Sequence, residues 1–218
     1  MCLGAEGARA TLVALESVVR PSGVVAPGTL LHAEGERFSS LYAVRSGCVK
    51  TVTIGREGRE RVLGFHLPGD IVGFDAIDGG LYRSNAVTLG SASYCSVPFQ
   101  ALSQLAEHDP ALQGRLLALM SRSLALAVDR VGDASADQRV AAFLIGLSAR
   151  FSGRGYSPVH FVLAMPRRDI ANFLRLATET VSRVLTRFQQ DGLIRAVRRE
   201  VMLLDVPRLE QVAGGLPP

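Results

Sequence analysis

Glu179 and Arg183 lie four residues apart in the stretch ATETVSRVLTRF, a spacing that places both side chains on one face of a helix. Glutamate can accept a hydrogen bond from cytosine N4, and arginine can bond guanine O6 and N7 in a bidentate way. The two residues could therefore read neighbouring base pairs of DNA. The same spacing also fits a simple surface pair, in which Glu179 favours the helix N-terminus and contacts Arg183.

A buried face opposite these two residues would hold the helix in place. Helical spacing predicts that face from four apolar residues, Val181, Val184, Leu185 and Phe188. A short helix is predicted over residues 168–174, and a tight turn joins it to the second helix. Two helices joined in this way form a helix-turn-helix, whose second helix can lie in the major groove. Residues 193–197 and 201–206 predict a small hairpin beyond it, followed by a short helix.

Positive charge is concentrated in the last third of the 218-residue chain. Residues 136–218 hold 12 basic and 7 acidic residues, whereas residues 1–135 hold 12 basic and 13 acidic residues. The resulting net charge of +5 on the last segment favours a polyanionic partner such as DNA.

The remaining composition is typical of a cytoplasmic protein. No basic head followed by an apolar segment stands at the N-terminus, so we expect no secretion signal. The three scattered cysteines do not form a disulfide framework, which favours a reducing compartment. The longest apolar run, residues 116–131, is interrupted by charged residues and is too short to span a bilayer.

Short strands are predicted in the first half of the chain. Of the 22 glycines, 11 lie between Gly28 and Gly90, and short apolar runs stand between them. Turn signals at a spacing of roughly 7–12 residues are typical of an all-β sandwich or barrel. A loop-rich region without regular strands is the alternative.

A long helix is predicted after this region, with Asp109 as its N-cap and Pro110 at its first position. Its apolar residues form two stripes. The first stripe can pack on the β domain and contains Leu112, Leu116, Leu119, Ser123 and Leu126. The second contains Leu117, Met120, Leu124, Ala127 and Val131. The second stripe needs a partner, so we expect a self-paired coiled coil; a helix buried within a monomer is the alternative.

Residues 132–135 predict a hinge between this helix and the next. Ser135 and Gln138 have the spacing of a capping box, which marks the start of the following helix. That helix is expected to end at Gly153 or Gly155 and to pack through Val140, Phe143, Leu144, Leu147 and Phe151.

The segment RRDIANFLRLATETVSRVLTRFQQDGLI resembles the DNA-binding motif of the CRP/FNR family of bacterial transcription regulators. Ser182 before Arg183 is similar to the FNR branch, as are SLYAVRSGCVK, GFHLPGDIVGFDAI and AAFLIGLSARFSGRGYSP. The resemblance covers nearly the whole chain and implies an α+β fold in three parts. These are a cyclic-nucleotide-binding-like β-roll over residues 1–108, a long dimerisation helix and hinge over residues 109–134, and a winged helix-turn-helix over residues 135–218.

The resemblance implies a sequence-specific transcription regulator that binds a palindromic, TTGAT-like operator as a homodimer, with RNA polymerase as a further partner. Glu179 and Arg183 fall where the family reads its operator. The implied DNA-binding residues are Arg168, Thr178, Glu179, Ser182, Arg183 and Arg187. Of these, Arg168 and Arg187 are expected to contact mainly phosphates.

Two positions depart from the family pattern. Ala177 stands where an N-cap Ser or Thr is usual, so we expect Thr178 to cap the helix one residue later. Arg175 stands in the turn where Gly is common, which predicts a mildly strained or shifted turn.

The family's β-roll holds a cyclic nucleotide with a Gly-Glu pair for the ribose and a downstream Arg-Ser pair for the phosphate. This chain keeps Arg83 and Ser84, but Phe74 stands where the glutamate is expected. An apolar ring cannot replace a carboxylate as a ribose ligand. We therefore expect a vestigial effector pocket that does not bind cyclic AMP, with Arg83 on the surface or in a salt bridge.

The FNR branch senses oxygen through a [4Fe–4S] cluster held by four cysteines. Cys95 matches the internal ligand, and Cys2 matches the last of the three N-terminal ligands. The other two ligands would fall before Met1. We therefore predict no cofactor and no metal site, and expect a cluster only if further ligands lie upstream of Met1.

The other cysteine and the histidines are interpreted as structural residues. Cys48 is expected to be a small buried hydrophobe, and the four histidines lack the spacing of paired metal ligands. Cys95 follows a predicted strand and is expected to be buried, which favours control through protein abundance over control through thiol oxidation.

Two other functions are alternatives to transcription regulation. A ligand- or redox-sensing module without DNA binding must explain the basic last third and the spacing of Glu179 and Arg183. A cysteine-dependent enzyme would rest on Cys95 with a histidine, yet the sequence has no nucleophile motif, phosphate-binding loop or metal-binding helix. We therefore expect that the chain is not an enzyme.

Overall fold

The computed structural model describes residues 15–55, 57–128 and 134–214. The chain divides into two compact units, and the division falls between Ala127 and Val128. The long helix that follows the β region therefore belongs almost entirely to the first unit. Within the described ranges, no helix combines the length and the apolar character needed to cross a bilayer.

The described part of the first unit contains eight strands in two antiparallel sheets. The strands are β1 (Arg20–Pro21), β2 (Leu30–His32), β3 (Ser40–Ser46), β4 (Val49–Ile54), β5 (Glu60–His66), β6 (Ile71–Val72), β7 (Asn85–Thr88) and β8 (Ser93–Pro98). One sheet has the order β1-β8-β3-β6, and the other has the order β2-β7-β4-β5. The pattern of short strands between glycine turns is thus confirmed.

Gly47 makes the sharp passage from β3 to β4 possible. Its φ is 78°, and a Cβ atom at this position would lie 2.5 Å from the carbonyl oxygen of Ser91. A side chain would therefore meet both an unfavourable backbone conformation and a backbone clash. The glycine spacing of the sequence reflects this need at the β3–β4 turn.

Two helices follow the sheets, α1 (Phe99–His108) and α2 (Pro110–Val128). Asp109 Oδ1 accepts hydrogen bonds from the amides of Ala111 and Leu112 at 2.9 and 3.2 Å, which confirms its predicted capping role. Leu112 is buried in an apolar cluster of the first unit, and Leu116 and Leu119 pack against the same cluster. The first predicted stripe of α2 therefore covers the β domain.

The second stripe of α2 remains exposed in the single chain. Leu117 is 60% exposed and Leu124 is 65% exposed, and Met120 is also exposed. The side chains of Leu126 and Ala127, and all of Val131, fall outside the part of the chain that the structure describes. The alternative of a helix buried within the monomer is not observed for the described residues of this stripe.

Within residues 134–214, the second unit contains four helices and a three-stranded sheet. The helices are α3 (Ala136–Ser152), α4 (Arg167–Leu174), α5 (Thr178–Gln190) and α6 (Val206–Ala213). The strands are β9 (His160–Val162), β10 (Ile194–Val197) and β11 (Glu200–Leu203), in the order β10-β11-β9. The predicted hairpin is present, but β9 was missed because three residues carry too little periodicity to predict a strand.

α3 begins with the predicted capping box. The Ser135 side chain accepts a hydrogen bond from the Gln138 amide, and the Gln138 side chain accepts one from the Ser135 amide. The helix ends at Ser152 with Gly153 as its C-cap. It packs against α6 and against α5 and so supports the helix-turn-helix.

Candidate nucleic-acid interface

The second helix of the helix-turn-helix, α5, is anchored by its inner face. The four residues predicted to face the core are all buried: Val181, Val184, Leu185 and Phe188. The first helix, α4, packs beside it, and α3 contacts it as well. Because the inner face is fully used in packing, the outer face of α5 is available to a partner.

Glu179, Ser182 and Arg183 lie on that outer face and are exposed. In the part of the chain that the structure describes, neither Glu179 nor Arg183 takes part in an ion pair. The simple surface pair is therefore not what is observed. The carboxylate in the first turn and the guanidinium one turn later are both available for hydrogen bonds to another molecule.

α5 begins without a side-chain cap. Ala177 is its N-cap residue, and no side chain makes a capping hydrogen bond there. The expectation that Thr178 caps the helix one residue later is wrong, because Thr178 is already the first helical residue. The Thr178 carbonyl accepts a hydrogen bond from Ser182 Oγ at 3.0 Å, so the Ser182 hydroxyl is directed back to its own helix.

Arg175 forms the turn between α4 and α5 in a left-handed conformation, with φ 55° and ψ 45°. The amide of Leu176 donates to the carbonyl of Ala171 at 2.9 Å, which closes the end of α4. An L-residue with a side chain loses roughly 1–2 kcal/mol in this conformation. The predicted strain is therefore present at Arg175, and α5 starts three residues later.

The two arginines predicted to contact phosphates differ in their surroundings. The Arg168 side chain is 80% exposed, and its Nε lies 3.5 Å from Asp169 Oδ1. Arg187 forms an ion pair with Asp137, which lies in the first turn of α3. Asp137 therefore neutralises part of the charge that Arg187 would offer to a phosphate. Sequence reasoning missed Asp137 because the two residues are 50 positions apart, and no local pattern links them.

The residues predicted to form a vestigial effector pocket lie around a short 3-10 helix, Phe74–Ala76. Phe74 packs against the apolar cluster of the first unit. Ser84 Oγ donates a hydrogen bond to Asp75 Oδ2 at 3.1 Å, and Arg83 Nη2 lies 3.4 Å from Asp78 Oδ2. The expectation of a salt bridge for Arg83 is confirmed.

These contacts place two carboxylates beside the Arg-Ser pair. A cyclic phosphate at the Arg-Ser pair would meet the carboxylates of Asp75 and Asp78, and like charges at short distance repel. Both acids follow Phe74 within four residues, but their role could not be foreseen, since only the fold brings Ser84 back to Asp75.

The two cysteines that the structure describes do not form a cluster site. Cys95 lies in β8, is 9% exposed and packs in the apolar cluster, as predicted, and Cys48 is buried as well. Cys2 lies outside the described residues. Among the residues that the structure describes, no group of three or more His, Cys, Asp or Glu side chains could hold a metal ion. A [4Fe–4S] cluster needs four ligands, so the described cysteines do not fit it.

Two domain families match this chain in the order that the fold shows. Residues 23–109 match the cyclic nucleotide-binding domain, and residues 138–212 match the Crp-like helix-turn-helix domain. Each match lies within one of the two compact units.

Individual proteins match over nearly the whole chain. The transcriptional activator protein anr of Pseudomonas aeruginosa is 44% identical over 204 residues, which cover 92% of this chain and 84% of that protein. The fumarate and nitrate reduction regulatory protein of Escherichia coli K12 is 38% identical over 203 residues, covering 92% of this chain and 81% of that protein. The solved structure of FixK2 from Bradyrhizobium japonicum superposes with a TM-score of 0.80 at 28% identity, and covers 92% of this chain and 98% of that chain.

Proposed function

This chain belongs to the CRP/FNR family of transcription regulators, and from that premise we propose that it binds a palindromic, TTGAT-like operator as a homodimer. It is a DNA-binding transcription regulator and not an enzyme. In this proposal Glu179 and Arg183 read bases, Thr178 and Ser182 lie beside them at the start of α5, and Arg168 and Arg187 contact phosphates.

The observation that carries the base-reading proposal is the state of Glu179 and Arg183. Both side chains are exposed, neither forms an ion pair in the described structure, and the helix that holds them is fixed by four buried residues. A carboxylate in the basic second unit lowers the non-specific attraction of that unit to DNA. Such a residue is useful when it accepts a hydrogen bond from one base, because it then contributes selectivity.

The exposed stripe of α2 supports the homodimer. Leu117, Met120 and Leu124 lie on one side of the helix and are all exposed in the single chain. Burial of a leucine side chain contributes about 1.5–3 kcal/mol, so two copies of the stripe packed together would stabilise a dimer. A twofold axis between the subunits would also match the symmetry of a palindromic site.

The domain assignment follows from this proposal. Residues 1–108 would form the sensor-like β-roll, residues 109–134 the dimerisation helix and hinge, and residues 135–218 the DNA-binding domain. We place the regulator in the cytoplasm, where a bacterial chromosome is bound, and expect RNA polymerase as a further partner once the operator is occupied.

Binding measured against two duplexes tests the proposal. One labelled duplex carries two TTGAT half-sites arranged as a palindrome, and the other carries the same bases in scrambled order. Fluorescence anisotropy at two salt concentrations should show at least a hundredfold preference for the palindrome, with a salt slope that reflects several phosphate contacts. Equal affinity for both duplexes would refute specific recognition of this operator.

A further inference from the structure

Two arginines of the second unit hold a backbone conformation that suits glycine. Arg175 and Arg198 both have φ 55°, and among the described residues they are the non-glycine residues with positive φ. Ten glycines occupy the other positive-φ positions of the described chain. The sequence therefore places glycine where the fold needs a left-handed residue, except at these two positions.

The fold explains why both positions adopt a left-handed backbone conformation, but it does not explain why arginine occupies them. Arg175 closes α4 through the backbone hydrogen bond from Leu176 to Ala171, a helix ending that favours glycine. Arg198 is the first of the two loop residues between β10 and β11, since Val197 pairs with Glu200. Two-residue hairpin loops favour glycine at a first position with positive φ. An arginine at either site costs conformational free energy that glycine would not.

Neither side chain compensates for this cost by a contact within the protein. Arg175, Arg198 and the neighbouring Arg199 are exposed. In the part of the chain that the structure describes, none of the three side chains forms an ion pair or a hydrogen bond. Strained residues that no internal contact supports are a feature of functional sites.

The topology places these arginines beside the two ends of α5. Arg175 precedes the first residue of α5 by three positions. The hairpin is attached at the other end, because the amide of Ala196 donates to Gln189 Oε1 at 2.9 Å and the amide of Leu193 donates to the carbonyl of Phe188. α5 has 13 residues and is therefore about 20 Å long, whereas the major groove is about 12 Å wide.

We propose that Arg175, Arg198 and Arg199 are phosphate contacts that hold DNA at both ends of α5. Arginine suits this task because its planar guanidinium bonds phosphate oxygens in a bidentate way. The partner is the phosphodiester backbone of double-stranded DNA, outside the bases that α5 reads. The inference rests on the proposed DNA-binding function and adds residues that set its affinity rather than its sequence preference.

Glycine variants give a test in which stability and binding separate. In Arg175→Gly and Arg198→Gly the strain is removed, so the melting temperature should stay the same or rise. Each variant should bind the palindromic and the scrambled duplex about fivefold more weakly. The slope of log affinity against log salt should fall by about 1.8, because the homodimer loses one phosphate contact in each subunit. Arg175→Lys and Arg198→Lys keep both the charge and the strain, and should retain most of the affinity.

Arg59→Gly is the matched control, because Arg59 is 86% exposed, lies in the first unit and loses the same charge. It should leave both affinity and salt slope at the wild-type values. Glycine variants that bind as tightly as the wild type would overturn the proposal. A lower melting temperature accompanying weaker binding would overturn it too, since the side chain would then be structural. A wild type that binds both duplexes equally refutes operator recognition instead, because this inference predicts a loss common to both duplexes.

Discussion

Arg187 and Asp137 form an ion pair that ties the last turn of α5 to the first turn of α3. The pair joins α5, which carries Glu179 and Arg183, to α3, which packs against it. Both side chains are partly exposed, 51% for Arg187 and 37% for Asp137, so water and salt screen the interaction. A contribution of about 0.2–1 kcal/mol to the free energy of unfolding is expected from such a pair.

Because Asp137 neutralises part of the charge of Arg187, removal of its carboxylate is predicted to strengthen DNA binding. Asp137→Asn removes the carboxylate and leaves the Arg187 charge available, so affinity for the palindromic and the scrambled duplex should rise together by about threefold at low salt. Arg187→Ala should weaken both duplexes alike, and the double variant should lose the gain. Anisotropy titrations of the three variants give the values. If Asp137→Asn bound DNA no better than the wild type, Arg187 would not be a phosphate contact limited by Asp137.

Base selection is predicted to depend on Glu179 and Arg183. Arg183→Ala should weaken binding to the palindromic duplex by about 1–3 kcal/mol and relax the preference at one position of each half-site. Glu179→Ala should relax the preference at a neighbouring position, while affinity for scrambled DNA rises slightly because a negative charge is lost. Titrations against duplexes that vary one base pair at a time report the preference. An unchanged ranking of duplexes in Arg183→Ala would contradict the assignment.

Dimerisation is predicted to depend on the exposed stripe of α2. Leu117→Glu with Leu124→Glu should give a folded monomer that binds the operator at least a hundredfold more weakly, because one half-site contact is lost. Leu116 and Leu119 are unsuitable for this test, since they pack on the core of their own chain. Light scattering after size exclusion measures the mass, and Gln113→Glu on the same helix is the control. A wild type that is monomeric at micromolar concentration would rule out the dimer.

The sequence predicted the features that have a local period or a fixed spacing. The buried face of α5, the Ser135 capping box and the strands between glycine turns all follow from neighbours within a few residues, and each is present. The missing features depend on residues that only the fold brings together. Asp137 meets Arg187 across 50 positions, and Ser84 meets Asp75 across a turn of the β-roll. The start of α5 was also predicted wrongly. The apolar pattern indicates which face of the helix is buried but not its first residue, so it could not show that Thr178 lies inside the helix and does not cap it.

We predict that the effector pocket does not bind cyclic AMP. Calorimetric titration with cyclic AMP should show no binding, and the air-purified protein should bind the palindromic duplex equally with and without the nucleotide. Phe74→Glu should not create a site, because Asp75 and Asp78 would still face the phosphate. Iron and sulfide assays on protein purified without oxygen check for a cluster at the same time. Saturable cyclic AMP binding, or about four irons per chain, would contradict this prediction.

His32, a buried residue of β2, is predicted to make the stability of the first unit depend on pH. Its ring stacks on Tyr82 with a centroid distance of 3.9 Å, and burial lowers the pKa of His32 below its usual value. The carboxylates of Asp75 and Glu36 and the backbone of Ser84 act in the opposite direction but are outweighed. Above the pKa of the unfolded chain, near 6.5, the ring is neutral in both states and the stability is complete.

Below that pH the unfolded chain binds a proton that the folded chain does not, so the free energy of unfolding falls by up to about 1.4 kcal/mol per pH unit until the folded pKa is reached. His32→Phe keeps the stacking but cannot be protonated, so its stability should fall less between pH 7 and 5.5. Tyrosine fluorescence during urea unfolding reports mainly on the first unit, because Tyr42, Tyr82 and Tyr94 lie there and the fourth tyrosine, Tyr156, lies in the second unit. The exposed His108→Gln is the control. Equal pH dependence in the wild type and His32→Phe would show that His32 is not the group responsible.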